Sequence, residues 1–431
     1  MTLALQKFGD VPFGGELDVI GNRPVYDVKL PAKKRFLYKI YNSAGNFIAT
    51  WIDVISEPKF SIALNGGFSE LVVDLARLES NYDEGVSVKY GNQLKLYAFD
   101  ANSRYDGDLI FSGVLSQYVP NVDGNKEKVR VSFLSYWWQL DQMILENAGS
   151  TTLNYSAQDP SNILKDILDK FTVAGGKVNY ATGSIDLTAT SLAYAFNTAT
   201  YQEALLKLIE LSPAGWYLRV GADDIVYFKN KSVTADHIFT LGKDIEMYEP
   251  EKRIENIINT IYFIGGGTPN YYKKYISSGS VSAYGTRAIK YIDEKVTTDD
   301  VSLIIANRIL GMFKDPEVRV QIRVSDNNGD AYQQQKGYDI ESIKVGDTCR
   351  IKNATSKADT KWDEALFDVD VWDYDITNAS SLVLQIMKID YVPDAVTLEL
   401  SNRQPDITKK IDSINRALID SITVDNPASP A

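Results

Sequence analysis

Residues 109–119 read LIFSGVLSQYV, residues 123–125 read DGN, and residues 129–133 read VRVSF. The two outer segments are rich in β-branched and aromatic residues, and VRVSF alternates apolar and polar side chains as a half-buried strand does. Asp-Gly-Asn supplies the conformational freedom that a tight turn needs. These segments therefore predict two neighbouring strands joined by a turn.

Strand patterns of the same kind precede this pair from Leu17 onward. Most of them alternate in period two, and turn residues separate them at 42–46 (NSAGN) and 65–67 (NGG). The region from 17 to about 140 therefore predicts a meander or a small barrel. Its other strands are expected at 36–41, 50–55, 60–64, 69–75 and 87–90.

The pattern changes to helical spacing between residues 159 and 230. Residues 161–168 (SNILKDIL) place apolar side chains at helical spacing behind a Ser or Asp cap. Thr200 and Glu203 have the spacing of a capping box and begin a second helix, which ends at 212–215 (SPAG). Segments 216–220 and 225–229 then predict a hairpin, which completes a compact α/β module.

Strand patterns return between residues 244 and 402, with one helix among them. That helix is expected at 301–313, capped by Thr298-Asp299-Asp300. Two segments without a clear period, 265–284 and 353–380, are interpreted as long functional loops or inserted hairpins. Strands are expected at 259–264, 318–324, 342–352, 382–391 and 395–401.

The fold class that follows is a β-rich α+β protein of several domains, with two β-barrels separated by a small α/β module and a short C-terminal helix. A chain of 431 residues is long enough for two to four domains. The expected divisions are 1–150, 151–240, 241–404 and 405–431.

The segment after Pro405 carries an apolar stripe formed by Ile407, Ile411, Ile414 and Leu418. These residues are spaced four, three and four apart, and Ile at both core positions of a heptad favours three or more chains over two. Two heptads are fewer than a firm coiled-coil assignment needs. The stripe therefore predicts either an oligomerisation contact or a helix that docks on its own domain.

Composition excludes several classes of partner. The chain has 45 basic and 57 acidic residues, a formal charge of -12, so a specific nucleic-acid partner is not expected. Its one cysteine, Cys349, excludes an intrachain disulfide and a Cys-based metal cage. No stretch approaches the apolar length of a membrane span, and no signal peptide is recognised at residues 1–10.

The residues that could carry chemistry favour structural interpretations. His237 is the lone histidine, and Cys349 lies within an alternating run typical of a strand. Gly265-Gly266-Gly267 lacks the rest of a phosphate-loop motif and is expected to begin a flexible loop. The acidic clusters at 326–330 and 368–375 could bind calcium but match no EF-hand loop. No enzymatic activity, cofactor or metal site is therefore predicted.

Two aromatic groups could instead contact a partner. Residues 136–138 (YWW) precede apolar residues and predict core packing. Residues 271–275 (YYKKY) lie in an expected loop and form the better interaction patch. A carbohydrate- or receptor-binding protein would be favoured if the two long loops formed a groove lined by Tyr271, Tyr272, Trp362 and Trp372.

The order of these parts resembles the tail-hub proteins of tailed bacteriophages. The similarity includes residues 91–97 (GNQLKLY) followed by 109–115, the second strand carrying F-x-G-x-[VIL], and then 133–136 (FLSY). Residues 200–206 (TYQEALL) and 215–217 (GWY) are similar to the middle module of that family. Three further stretches resemble patterns of that family: YGTR at 284–287, ANR at 306–308 within a helix, and SIKVGD at 342–347, which is similar to a strand entry.

The resemblance implies a structural hub at the distal end of the tail, within the virion and assembled in the cytoplasm of the bacterial host. A homotrimer with two tube-like barrels per chain would close the tail tube and adapt its sixfold symmetry to a threefold tip. The implied partners are the distal tail protein, tail-tube proteins, the tape-measure protein and receptor-binding or fibre proteins. Host attachment and DNA ejection would follow from a change of this assembly, and a contractile-tail or injection-system hub would share the fold.

Overall fold

The computed structural model describes residues 17–20, 23–26, 35–51, 54–76, 87–99, 107–123, 126–147, 149–267, 271–294, 296–326, 337–352 and 383–404. The loop predicted over 353–380 and the apolar stripe after Pro405 lie outside these residues. The described chain is β-rich with a few helices, which confirms the predicted fold class.

The first part of the chain forms a curled antiparallel sheet of six strands in the order β4-β3-β7-β8-β9-β6. A bridge between Val54 and Leu75 returns the chain after β4 to the strand at the other edge, β6. Alternation along β7 buries Leu94 and Leu96 on the inside of the curl. The strands of this part are β1 (Leu17–Ile20), β2 (Arg23–Tyr26), β3 (Arg35–Tyr41), β4 (Phe47–Trp51), β5 (Phe60–Ala63), β6 (Leu71–Ala76), β7 (Gln93–Phe99), β8 (Asp108–Asp123) and β9 (Lys126–Leu134).

Two of the strands predicted here need correction. The strand expected at 50–55 begins earlier, because the turn at 42–46 brings Phe47 directly opposite Tyr41. The strand expected at 87–90 is a turn, closed by a hydrogen bond from the Asn92 side chain to the Ser87 carbonyl at 3.1 Å. Short apolar runs therefore overestimated the strand content next to turn residues.

The middle of the chain is the predicted α/β module. Thr200 Oγ1 accepts a hydrogen bond from the Glu203 amide at 3.1 Å, and the Glu203 carboxylate accepts one from the Thr200 amide at 2.9 Å, so the predicted capping box is present. Asp159 caps the preceding helix through the Ser161 amide. The elements are α1 (Trp137–Gln142), β10 (Thr152–Gln158), α2 (Pro160–Val173), β11 (Leu192–Asn197), α3 (Tyr201–Glu210), β12 (Trp216–Val220) and β13 (Val226–Asn230).

The last described part contains a second curled sheet of seven strands, in the order β14-β20-β21-β22-β19-β15 with β5 from the first part added against β21. A separate three-stranded sheet has the order β17-β16-β18. The elements are β14 (His237–Thr240), β15 (Ile245–Arg253), β16 (Thr260–Gly265), β17 (Tyr272–Ile276), α4 (Ser278–Tyr284), β18 (Ala288–Asp293), α5 (Asp299–Phe313), β19 (Glu317–Ser325), β20 (Thr348–Lys352), β21 (Leu384–Val392) and β22 (Ala395–Ser401).

Two further expectations can be compared with these elements. Segment 265–284 is neither a long loop nor a complete inserted hairpin: it holds β17, which pairs antiparallel with β16, followed by α4, a second helix where only one was predicted. The strand predicted at 342–352 is wrong over its first half: residues 340–342 form one 3-10 turn, and the strand begins only at Thr348. Gly346, whose φ is +93°, interrupts the extended backbone between them.

The buried apolar side chains form two clusters. One lies between the helices of the middle module, the three-stranded sheet and α5. The other joins the six-stranded and seven-stranded sheets, which share it across their facing surfaces. Among the described residues no helix is long and apolar enough to cross a membrane.

Candidate functional site

The three-stranded sheet β17-β16-β18 has one covered face and one open face. Strand alternation sends Phe263, Tyr275 and Tyr291 inward, where they are buried with Ile305 of α5. Their neighbours in sequence point the other way. This small sheet therefore shows a full face to its surroundings.

That open face is apolar with two positive charges. In its first row, Ile264 lies between Tyr272 and Ile292, and in its second, Tyr262 lies between Lys274 and Lys290. Tyr272 is 61% exposed, Ile292 55% and the neighbouring Ile276 52%. These seven residues are called the sheet face below, and they place exposed apolar side chains next to ammonium groups.

The centre of the sheet face is held in place by its own contacts. The Lys274 ammonium lies 5.2 Å from the centroid of the Tyr262 ring, a cation–π arrangement that orients both groups. Tyr262 and Ile264 are only half-buried, although they belong to the middle strand. Contiguous exposed apolar surface with a polar surround is typical of a contact site.

The predicted patch 271–275 is divided between the two faces. Tyr272 and Lys274 lie on the sheet face, whereas Tyr271 and Tyr275 turn towards α5. The Tyr271 hydroxyl donates to Asp299 Oδ1 at 2.7 Å, and its oxygen lies 2.6 Å from Ser302 Oγ. Burial raises the pKa of Tyr271 above its ordinary value. Trp362 and Trp372, the other predicted groove residues, lie outside the described residues.

A buried ionic group supports the sheet face from behind. Lys207 of α3 lies 2.9 Å from Asp293 of β18 and 3.1 Å from Glu210, which also accepts a hydrogen bond from the Tyr291 hydroxyl. Burial alone would lower the pKa of Lys207, but Glu210, Tyr291 and Asp293 raise it well above its ordinary value. The pairing fixes β18 to α3. Sequence spacing could not have shown it, since Lys207 and Asp293 lie far apart in the chain.

A second exposed patch lies on and after α1. Trp137 is buried, which confirms the predicted core packing, but for Trp138 that prediction is wrong: it is 44% exposed because adjacent residues on a helix point in different directions. Ile144 is 48% exposed, and Asp141 and Glu146, close to these two in sequence, are exposed as well. Trp138, Asp141, Ile144 and Glu146 are called the α1 patch below.

The α1 patch is joined to the first turn of α3. With its amide oriented to satisfy both neighbours, Gln202 donates to Asp141 Oδ1 at 3.1 Å and accepts from Trp137 Nε1 at 2.7 Å. The Tyr201 amide also donates to the Met143 carbonyl at 3.1 Å. Both exposed patches therefore sit on rigid elements of one core.

The residues considered for catalysis are buried in structural contacts. His237 Nε2 lies 3.0 Å from Asp347 Oδ2, and its Nδ1 lies 3.0 Å from the Tyr338 hydroxyl. Cys349 is fully buried in β20, and burial raises the pKa of its thiol to about 12. Both residues pack within the second sheet, as the structural interpretations predicted.

Metal-ligand clusters and the glycine triplet complete the predicted candidates. Among the described residues no group of three or more His, Cys, Asp or Glu could hold a metal ion. Asp326 is described, but the rest of the 326–330 cluster and all of 368–375 lie outside. Gly265 and Gly266 make backbone hydrogen bonds to Tyr271 and Val296, so the triplet begins as ordered backbone instead of the expected flexible loop.

Comparison with known proteins gives a fold but no sequence relative. No protein-family model matches the chain, and no curated protein sequence matches it. The two curled sheets and the module between them form a fold found in bacteriophage tail proteins. The resemblance predicted from the sequence is thus confirmed for the fold.

Three solved structures illustrate the similarity. A tail protein of prophage MuSo2 from Shewanella oneidensis has a TM-score of 0.53 and 14% identity, covering 87% of this chain and 99% of that one. Prophage tail protein gp18 from Listeria monocytogenes has a TM-score of 0.53 and 11% identity, covering 89% and 99%. A tail protein from Neisseria meningitidis has a TM-score of 0.52 and 9% identity, covering 85% and 96%.

Proposed function

We propose that this protein is a non-enzymatic structural subunit of a bacteriophage tail, the hub of the tail tip or baseplate. The observation that carries the proposal is the fold, which extends over nearly the whole length of three tail proteins. Function can differ between proteins of one fold, so the exposed surfaces supply the second line of support.

The proposed assembly is a homotrimer that closes the distal end of the tail tube. Each chain contributes two curled sheets, so three chains place six sheets around one axis. Such a ring can match a sixfold tube on one side and a threefold tip on the other. The hub would then anchor tip proteins for host attachment and DNA ejection.

The exposed patches favour assembly over chemistry. The sheet face and the α1 patch both show large apolar side chains on rigid elements, which is how protein contact sites are built. His237 and Cys349, by contrast, are enclosed in the second sheet. The partners proposed are further copies of this chain, the distal tail and tube proteins, the tape-measure protein, and receptor-binding or fibre proteins of the virion.

The carbohydrate-binding alternative draws less support from the described residues. It requires Tyr271 and Tyr272 to line one groove, whereas Tyr271 turns towards α5 and Tyr272 lies on the sheet face. An exposed aromatic such as Tyr272 can stack on a sugar, but an apolar face with flanking lysines suits a protein surface equally well.

The mass of the protein in solution tests the proposal. Light scattering of the intact chain is expected to give a trimer, and truncation after Pro405 is expected to weaken or abolish it, because the tail carries the proposed threefold contact at Ile407, Ile411, Ile414 and Leu418. Ile411→Asp with Ile414→Asp should act like the truncation, whereas Ser413→Asp, off the stripe, should not. A chain that stays monomeric alone and with a tail-tube protein would contradict the hub.

A further inference from the structure

The two exposed patches have similar apolar content and opposite charge. The sheet face combines Tyr272, Ile276 and Ile292 with two lysines, and the α1 patch combines Trp138 and Ile144 with two carboxylates. The lysines of the sheet face could therefore pair with the carboxylates of the α1 patch, and the apolar side chains of both could pack together.

The charge of the whole chain makes this pairing selective. At a formal charge of -12, two copies repel each other over most orientations. The sheet face differs from this net negative charge because it carries Lys274 and Lys290. The neighbouring Lys273 does not add to its positive charge, since it forms an ion pair with Asp299 of α5. An acidic copy would therefore be attracted to the sheet face while other approaches are disfavoured.

The patches are attached to different ends of one helix. The α1 patch is bound to the first turn of α3 through Gln202, whereas the sheet face is bound to its last turns through Lys207 and Glu210. Residues 202 and 210 are about 12 Å apart along a helix axis. The two patches therefore consist of different residues, and a contact between them would be head-to-tail, each copy offering one patch to each neighbour.

We propose that the sheet face of one copy docks on the α1 patch of the next copy. The inference rests on the proposed homotrimer and adds a second contact between neighbouring chains to the one proposed at Ile407, Ile411, Ile414 and Leu418. A contact between two different surfaces is head-to-tail, and it closes into a ring when the rotation per copy divides the circle. The apolar side chains would form its centre, and the lysines would meet Asp141 and Glu146 at its rim.

Charge reversal with rescue tests the contact in the full-length chain. Lys274→Glu with Lys290→Glu makes both patches acidic, and Asp141→Lys with Glu146→Lys makes both basic. Each pair of changes is expected to weaken trimer formation at least about tenfold in sedimentation or light scattering. All four changes together restore opposite charges and should recover most of that loss. Lys243→Glu with Lys252→Glu, exposed lysines outside both patches, is the matched control.

The possible outcomes distinguish a failure of the proposed contact from a failure of the proposed trimer. A wild-type chain that forms no trimer, either alone or with a tail-tube protein, contradicts the proposed function. A trimeric wild type whose charge-reversed variants remain trimeric overturns only the contact, as does a fourfold variant that fails to reassemble. Circular dichroism confirms folding of each variant. If a reversal prevents folding, Lys274→Gln with Lys290→Gln removes the charges more gently and should still weaken the trimer.

Discussion

At the scale of single residues, the contacts of Arg308 give a structural reason for the ANR stretch at 306–308. Its guanidinium is fully buried and donates to the carbonyls of Ser212 at 3.2 Å, Pro213 at 2.8 Å and Trp216 at 3.3 Å, and to Gln404 Oε1 at 3.0 Å. Burial lowers its pKa to about 10, so the group is still charged at neutral pH. One side chain thus joins the end of α3, the start of β12 and the end of the described chain.

Arg308→Met should therefore destabilise the protein strongly. The substitution keeps the length of the side chain but leaves three carbonyls without their donor, an expected loss of about 3 kcal/mol or more from the free energy of unfolding. Urea denaturation followed by circular dichroism measures it. Arg308→Lys keeps the positive charge but loses the planar guanidinium with its several N–H donors. Its stability should therefore lie between those of the wild type and the Met variant. A loss below about 1 kcal/mol for the Met variant would show that the network is dispensable.

Asp224 is the residue whose titration should be visible in stability. It lies in the turn of the β12–β13 hairpin and accepts a hydrogen bond from Ser112 Oγ of β8 at 2.6 Å. Burial raises its pKa from 3.8 to about 6, partly offset by that hydrogen bond. Because the folded pKa is the higher one, the folded state holds the proton more tightly, and the favourable contribution is complete below pH 4 and lost as pH rises through 6.

Asp224→Asn should remove this pH dependence. Asn keeps the shape and accepts the same left-handed backbone, here at a φ of +63°. The wild type is expected to lose up to about 3 kcal/mol between pH 4 and pH 7 relative to the variant. Thermal unfolding of both proteins across that range measures the difference. Parallel pH profiles would mean that Asp224 is hydrated in the folded protein.

At the scale of elements, two of the three predicted helix caps allow a matched comparison. Thr200 forms both bonds of its capping box, whereas Thr298 makes no side-chain cap bond to α5. Thr200→Ala should therefore cost about 1 kcal/mol of stability, and Thr298→Ala only a few tenths. Chemical denaturation of the two variants gives the comparison directly. Equal losses would mean that the box adds nothing beyond the propensity of the cap position.

Local chemistry made much of this level predictable from sequence. The capping box, the Asp159 cap and the hairpin of β12 and β13 each depend on residues within a few positions of one another. Strand pairing between segments that are far apart in the chain has no such local sequence pattern. β5 pairs with β21 over 300 residues later, because burial next to Tyr391 decides its position.

The candidate contact surfaces were only partly visible in the sequence. Residues 271–275 are recognisable as an aromatic and basic patch, but five residues beside a glycine triplet are too few to distinguish a strand, whose period of two separates Tyr272 and Lys274 from Tyr271 and Tyr275, from a loop. Lys290 and Ile292 join the same face through the parallel pairing of β18 with β16. That pairing, like the one of β5, is a long-range contact without a local sequence signal.

At the scale of the whole molecule, the first part of the chain is tied to the rest, because it supplies β5 to the seven-stranded sheet. Phe60 of β5 stacks on Tyr391 of β21 with ring centroids 4.8 Å apart and 13° between planes. The chain after β5 is tied down as well: the Leu64 amide donates to the Met387 carbonyl at 2.8 Å, and the Asn65 amide to the Leu218 carbonyl at 2.9 Å. The shared apolar cluster makes the first sheet depend on residues from the other end of the chain.

A fragment of residues 1–150, the proposed first domain, should therefore fold poorly by itself. It would expose Phe60 and the apolar surface that the seven-stranded sheet covers, and β5 would lose its partner strand. Circular dichroism during heating should show a broad or much lower transition than that of the whole chain. A fragment of residues 1–404 keeps both sheets and should still unfold in one sharp transition, although loss of the proposed trimer contact could lower its midpoint. A sharp transition of the shorter fragment at the whole-chain midpoint would show instead that the sheets fold as separate units.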